Sequence, residues 1–260
     1  MGEILRDIEF VRHDGFRPLT ADLHLPSDRG RPSPVVVFVH GGGWLRGSRR
    51  IFCPGFSEEE TFGAVMARGR AVLSIDYRLS GEAAFPAPLD DVVAAIDWVR
   101  DDGAAGYGLD AERIALWGES AGGHLAALAA LRPGSSVRAV VDWYGPSDLA
   151  LLLADADERG GPTREQSLLG GSGAYSDALV RAASPRFAAR PDAPPFLLAH
   201  GTADDLVPPV HSEVLAQALT DAGAHAELQL VPRAGHLWRG LSDLSSVLPR
   251  ALDFLDAHVR

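Results

Sequence analysis

A run of residues that is apolar at every position constrains this chain more than any other feature. Val35, Val36, Val37, Phe38 and Val39 follow Pro34 and stop one residue before Gly41-Gly42-Gly43. A strand with no polar side has to be covered on both faces, as parallel strands are between two layers of helices. The same signature returns at residues 71–75, 114–117, 139–143, 196–199 and 228–231. Between these runs the spacing becomes helical. The helical segments are 58–68, 89–100 (Val92, Val93, Ile96 and Val99 on one face), 121–131, 210–222 and 244–259. Strands alternating with helices predict an α/β fold with a mainly parallel sheet and helices on both faces.

The beginning of the chain has another rhythm. Over residues 3–25 apolar and polar positions alternate, with Ile4, Ile8 and Phe10 and then Leu19, Ala21, Leu23 and Leu25 on the apolar side. A period of two predicts two antiparallel edge strands joined by a turn at His13-Asp14-Gly15, for about eight strands in all. Residues 146–195 interrupt the alternation. They are rich in Gly, Pro, Asp and Ala, with short helical patches at 149–154 and 178–183. So long a stretch between strands is expected to be a lid or binding insertion on a single domain spanning 1–260, with surface decoration as the alternative.

The formal net charge is −11, and Arg49-Arg50 is the longest basic run. Nucleic acid and anionic membranes need a clustered basic face, so neither is an expected partner. The single cysteine, Cys53, excludes an intrachain disulfide. It reads as a packing residue, because no base is placed to activate its thiol. The opening MGEILRDIEF carries acids and no long apolar stretch, unlike a signal peptide. No run approaches the roughly 18 apolar residues of a membrane span. The expected location is the cytoplasm and the expected partner a small molecule; a homodimer stays open.

Gly118-Glu119-Ser120-Ala121-Gly122 joins the apolar strand ending at Trp117 to the helix from 121 onward. A serine hydroxyl is a poor nucleophile and must stand at a sharp turn within reach of a base. Glycines on either side remove side chains that would collide there. The helix N-terminus after Ser120 offers partial positive charge and free N–H groups to a developing oxyanion.

Nine histidines compete for the role of base. His236, in Pro232-Arg233-Ala234-Gly235-His236, directly follows the last strand and is expected at the carboxyl edge of the sheet. His211 and His225 read as solvent-facing, His13 and His24 fall among the opening strands, and His258 is at the end of the sequence. For the acid, His200-Gly201-Thr202-Ala203-Asp204-Asp205 follows the strand at 196–199. A carboxylate there can orient His236 and stabilise its imidazolium. Asp204 is favoured over Asp205, and Asp142 and Asp148 are outside candidates that read as turn or cap residues. The third loop, His40-Gly41-Gly42-Gly43-Trp44, follows the strand at 35–39. Its glycines free backbone N–H groups to join that of Ala121, and losing one such donor costs roughly 3 kcal/mol of transition-state stabilisation. His40 reads as a residue that braces this loop. The phosphate-loop pattern is absent.

HGGGW at 40–44, DYRL at 76–79, FPAPLDD at 85–91, GESAGG at 118–123, YGPSD at 144–148 and HGTADDLVP at 200–208 together resemble the α/β-hydrolases of the hormone-sensitive-lipase and feruloyl-esterase type. The resemblance runs from about Val35 to His236. It implies an α/β-hydrolase fold and a serine carboxylesterase, with Ser120, Asp204 and His236 as the catalytic triad. Its spacing selects Asp204 over Asp205 and puts the oxyanion hole at Gly42, Gly43 and Ala121. Two departures stand out. Only some 30 residues precede the HGG strand, where many relatives carry a longer cap, and His236-Leu237-Trp238 replaces the usual His-Gly-Phe.

The expected reaction is hydrolysis of small, short-acyl esters through an acyl-enzyme, without cofactor or metal, since no His/Glu/Cys group has ligand spacing in the sequence. The alternatives are an arylformamidase-like amidase, a thioesterase or acyltransferase, and a non-catalytic receptor, which the filled triad positions disfavour.

Overall fold

The computed structural model describes residues 2–28, 32–159, 163–171 and 175–259, with 155–159 as backbone only. The strands β1 (Glu3–Val11), β2 (Leu19–Leu25), β3 (Ser33–Val39), β4 (Ala71–Ile75), β5 (Leu109–Glu119), β6 (Val137–Trp143), β7 (Phe196–Gly201) and β8 (Ala226–Val231) form one sheet. Its order is β1-β2-β4-β3-β5-β6-β7-β8. The helical segments are α1 (Ala64–Met66, after one wide turn at Glu59–Gly63), α2 (Ala87–Trp98), α3 (Ala104–Tyr107), α4 (Ala121–Ala130), α5 (Leu149–Arg159), α6 (Arg164–Leu168), α7 (Asp177–Ala182), α8 (Val210–Asp221) and α9 (Leu248–His258).

The apolar run in β3 is explained by the two layers it separates. Val35, Val37 and Val39 face the layer of α2 and α4 and share one core with Val92 and Leu125, which Leu215 of α8 joins over β7 and β8. Val36 and Phe38 point the other way, into Phe52, Phe62, Trp117 and the α9 residues Ala251 and Leu255. Each such side chain contributes roughly 1.5–3 kcal/mol by leaving water. The polar-apolar alternation over residues 3–25 gives the expected hairpin, with the turn closed by Phe16 N–H donating to His13 O. β2 is antiparallel to both β1 and β4, whereas every other pair is parallel. β1 therefore runs with the parallel strands and only β2 is reversed.

Several element boundaries differ from the sequence expectation: the strand expected at 114–117 runs from Leu109 to Glu119, and the helix expected at 58–68 is a wide turn leading into the short α1. Helix α9 starts at Leu248, not near 244, because Pro249 lacks an N–H and fits only a first turn. Helix α2 continues through a wide turn at Val99–Gly103 into α3. Helix α6 was not expected. Thr163 caps it in a reciprocal pair with Gln166, a T-x-x-Q signature that the sequence does contain. Residues 160–162 and 172–174 of the 146–195 stretch lie outside the described residues.

Parallel strands deliver their carboxyl ends to one edge. Val39 pairs with Gly118 and Gly118 with Asp142, while Trp143 pairs with Ala199 and Gly201 with Val231. The loops that follow β3, β5, β6, β7 and β8 thus leave the sheet side by side. The β3 loop is anchored from behind by Arg49, buried between Asp7, Asp22 and Asp76.

Candidate active site

Ser120 sits between β5 and α4 with φ 52° and ψ −121°. A non-glycine residue there costs of order 1–3 kcal/mol, which the surrounding packing must offset. The backbone is held on both sides: Ser120 N–H donates to Trp143 O at 2.8 Å, and Ser120 O accepts from His124 N–H at 3.1 Å. The neighbouring glycines are required by space. A Cβ on Gly118 would lie 2.2 Å from Gly122 O, and one on Gly122 would lie 2.0 Å from Val39 O.

His236 Nε2 lies 2.9 Å from Ser120 Oγ, and His236 Nδ1 lies 2.7 Å from Asp204 Oδ2. A carboxylate partner puts the proton on Nδ1, so Nε2 is left to accept from the serine hydroxyl. Asp204 is buried, and its Oδ1 accepts from the N–H groups of Leu206 at 3.0 Å and Val207 at 2.9 Å. Burial alone favours the neutral acid, but the hydrogen bonds from His200 and His236 outweigh it and hold Asp204 well below the usual carboxylate range. Asp205 points to solvent. Ser120, His236 and Asp204 thus come from three separate loops and meet in one row.

Gly41 brings the glycine loop to the serine: a Cβ there would lie 3.4 Å from Ser120 Cβ. Gly42 and Gly43 both have positive φ, 115° and 62°, which frees the turn from the β region. Ala121 is the first residue of α4, so its N–H has no partner within the helix. Trp44 locks the loop, its indole N–H donating to His124 Nδ1 at 3.2 Å while His124 Nε2 bonds Ala183 O at 2.7 Å. His40 stacks on Tyr77 and bonds Gly41 O, bracing the loop as expected. A cavity of about 280 Å³ opens beside this loop, bounded by Gly41, Gly42, Arg46, Ile51, Pro54 and Leu237. A larger one, about 550 Å³, lies by Ile4, Glu58 and Met66 and touches none of the three loops.

The sequence profile of the BD-FAE family matches residues 21–219. The chain belongs to the BD-FAE family. Among curated relatives of this BD-FAE chain, Esterase LipQ of Mycobacterium tuberculosis is 36% identical over 224 residues, covering 80% of this chain and 51% of the relative. Esterase LipC of the same organism is 33% identical, covering 79% of this chain and 53% of the relative. The chain therefore spans about half the length of the curated relatives it matches. Among solved structures, a truncated carbohydrate esterase from gut microbiota superposes with a TM-score of 0.82 at 28% identity, covering 98% of this chain and 95% of that one. Thermogutta terrifontis esterase 2 phosphoramylated by tabun superposes at 0.72 and 26% identity, covering 98% and 92%. These likenesses establish the α/β-hydrolase fold.

Several buried polar groups of this BD-FAE member escaped the sequence reading. Glu119, next to the nucleophile, accepts from Tyr144 O–H at 2.8 Å. Burial pushes its carboxyl up to about 7 against that bond and those from the N–H groups of Gly41 and Cys53. Tyr144 in turn lies 4.9 Å, ring to ring, from His236. Cys53 packs against Tyr144 with its thiol pushed up by burial, as a packing residue and not a nucleophile. His211 is a correction: it is buried, with Nδ1 accepting from Ser147 N–H at 3.3 Å, because α8 turns that face inward. His225 is exposed as expected. Asp148 caps the start of α5 by accepting from Ala150 N–H. Tertiary packing of α9 also brings His258 to His225 and Glu227, whose metal-capable atoms lie within 4.8 Å of one another, a grouping invisible in sequence spacing.

Asp142, buried at the end of β6, accepts from Gly145 N–H at 3.0 Å. Burial pushes its carboxyl up to about 7, against the pull of nearby His200 and that N–H. An unfolded aspartate ionises near 3.9. Between about 4 and 7 the folded protein keeps a proton that the unfolded chain has released, so this group lowers stability as pH rises through that window. Asp142→Asn keeps an oxygen for Gly145 N–H and removes the ionisation. It is expected to raise Tm at pH 8 by a few degrees, about 1 kcal/mol, with a smaller change at pH 4.5. Melting curves at the two pH values check this, and equal shifts at both would refute it.

Proposed function

We propose that this chain is a serine carboxylesterase that hydrolyses small, short-acyl esters through an acyl-enzyme. The observation that carries the reading is the unbroken row Asp204 Oδ2, His236, Ser120 Oγ, with both links at hydrogen-bonding distance. In this mechanism Ser120 Oγ attacks the ester carbonyl while His236 Nε2 takes its proton. Asp204 stabilises the imidazolium, and His236 then protonates the departing alcohol. Water repeats the sequence on the acyl-enzyme and frees the acid. The N–H groups of Gly42, Gly43 and Ala121 are the donors assigned to the oxyanion.

The relatives named esterases support this class of reaction. The roughly 280 Å³ cavity is lined by Gly41 and Gly42 and by Glu119 and Leu237, the sequence neighbours of Ser120 and His236 rather than the triad itself. Its size is the reason for proposing a small substrate. Residues 146–195 are assigned the role of lid: Ser147 and Ala183 bond to His211 and His124, and a Cβ on Gly43 would meet the Arg164 side chain at 2.4 Å. No helix among the described residues is long and apolar enough to cross a membrane. A lone buried thiol fits a reducing compartment, and the cytoplasm is the location proposed.

A panel of p-nitrophenyl esters from acetate to decanoate, run beside N-formyl aryl amides and acyl thioesters, tests the reading. Turnover is expected to fall by about tenfold or more from butyrate to decanoate, because each added methylene outgrows a small pocket. Faster cleavage of the formamide would make the protein an amidase instead.

A further inference from the structure

The triad carboxylate is held by two imidazoles. His200, the last-but-one residue of β7, is buried, with Nε2 2.8 Å from Val207 O and 3.4 Å from Asp204 Oδ2. Its Nδ1 lies 2.7 Å from Ser212 Oγ in α8. Two oxygens that can only accept face Nε2, so Nε2 carries the proton. Nδ1 is paired with the Ser212 hydroxyl, so the ring is held from both sides with its Nε2–H aimed at these two oxygens. The second oxygen facing His200 Nε2, beside Val207 O, is the same Oδ2 that receives His236 Nδ1–H.

We propose that His200 is a positioning residue for Asp204: it holds Oδ2, disperses its charge, and thereby sets the pH below which His236 stops acting as a base. This rests on the triad proposed above. Asp204 Oδ1 accepts from two backbone N–H groups, and Oδ2 faces two imidazole nitrogens, His236 Nδ1 at 2.7 Å and His200 Nε2 at 3.4 Å. Removing the His200 donor concentrates negative charge on the oxygen facing His236. The imidazolium is then favoured, and the free base appears only at higher pH. The other titratable groups facing this array are Asp142 from β6, Tyr144 with Glu119 behind it, and His211 beside Ser212 on α8. Of these, Asp142 accepts from Gly145 N–H, Tyr144 donates to Glu119 and His211 accepts from Ser147 N–H, whereas His200 Nε2 faces Asp204 Oδ2 itself at 3.4 Å.

The experiment compares wild type, His200→Asn and His200→Gln from pH 5 to 9. The readout is the rate of Ser120 labelling by a fluorophosphonate, which depends on His236 as base whatever the natural ester is. Glutamine can place an N–H where Nε2 stands, whereas asparagine reaches only the Nδ1 position. His200→Asn is expected to move the acid limb up by about half a pH unit, roughly a threefold loss below the limb. His200→Gln should keep the wild-type limb. An unmoved limb in His200→Asn, or an equal shift in both variants, would overturn the proposal. Absence of labelling in the wild type would instead remove the triad reading itself. Nitrogen-15 NMR of the unsubstituted protein gives a second check, should a variant fail to fold: His200 Nε2 is expected to carry a proton, and a bare Nε2 would refute the assignment.

Discussion

Ser120→Ala is expected to lower ester turnover by about 10³- to 10⁶-fold while leaving Tm within about two degrees of wild type. The activity loss follows from deleting the atom that bonds the carbonyl carbon. The unchanged stability follows from where the residue's structural bonds lie. Ser120 holds its turn through backbone groups, its N–H to Trp143 O and its carbonyl to His124 N–H, and alanine keeps both. The side chain's one hydrogen bond here, with His236, is the catalytic one. Steady-state turnover of p-nitrophenyl butyrate and a thermal melt check the two halves. Turnover within tenfold of wild type would remove Ser120 from the mechanism.

Gly122→Val is expected to act in the opposite way, through the fold. Its Cβ would lie 2.0 Å from Val39 O and 2.6 Å from His40 O, both backbone atoms that cannot step aside. Helix α4 would have to lift off β3, pulling Leu125 and Ala126 from the core and carrying Ala121 away from Ser120. A loss of about 3–5 kcal/mol is expected, a Tm drop of about ten degrees or insoluble expression. Gly106→Ala is the control. It lies in α3 with open space around it, and alanine there should be neutral or stabilising by up to about 1 kcal/mol. A soluble Gly122→Val protein melting like wild type would contradict the close approach of α4 to β3.

The buried parallel strands were readable because the runs at 35–39, 71–75 and 114–117 are apolar on both faces, a pattern with few alternatives once helices intervene; their order and register were not. The reversed direction of β2 alone was not, since alternation reports a half-buried strand but not which way its neighbours run. Helix α6 carried its signal in Thr163 and Gln166, but a single turn of helix is too short for periodicity to reveal. The start of α9 was misplaced by about four residues because apolar spacing continues upstream of Pro249 while the backbone does not.

The same division holds at the site. Chemistry written in local order was legible: a serine between glycines after a buried strand, an aspartate and a histidine just past later strands. Those are properties of a few adjacent residues and of the rule that parallel strands end at one edge. His200 on Asp204, Glu119 under the oxyanion loop with Tyr144, and the burial of His211 depended on tertiary structure. Each joins residues far apart in the chain, and each depends on which polar atoms lose water together. Periodicity says which face of an element is inward. Only packing decides which buried groups must then become one another's partners.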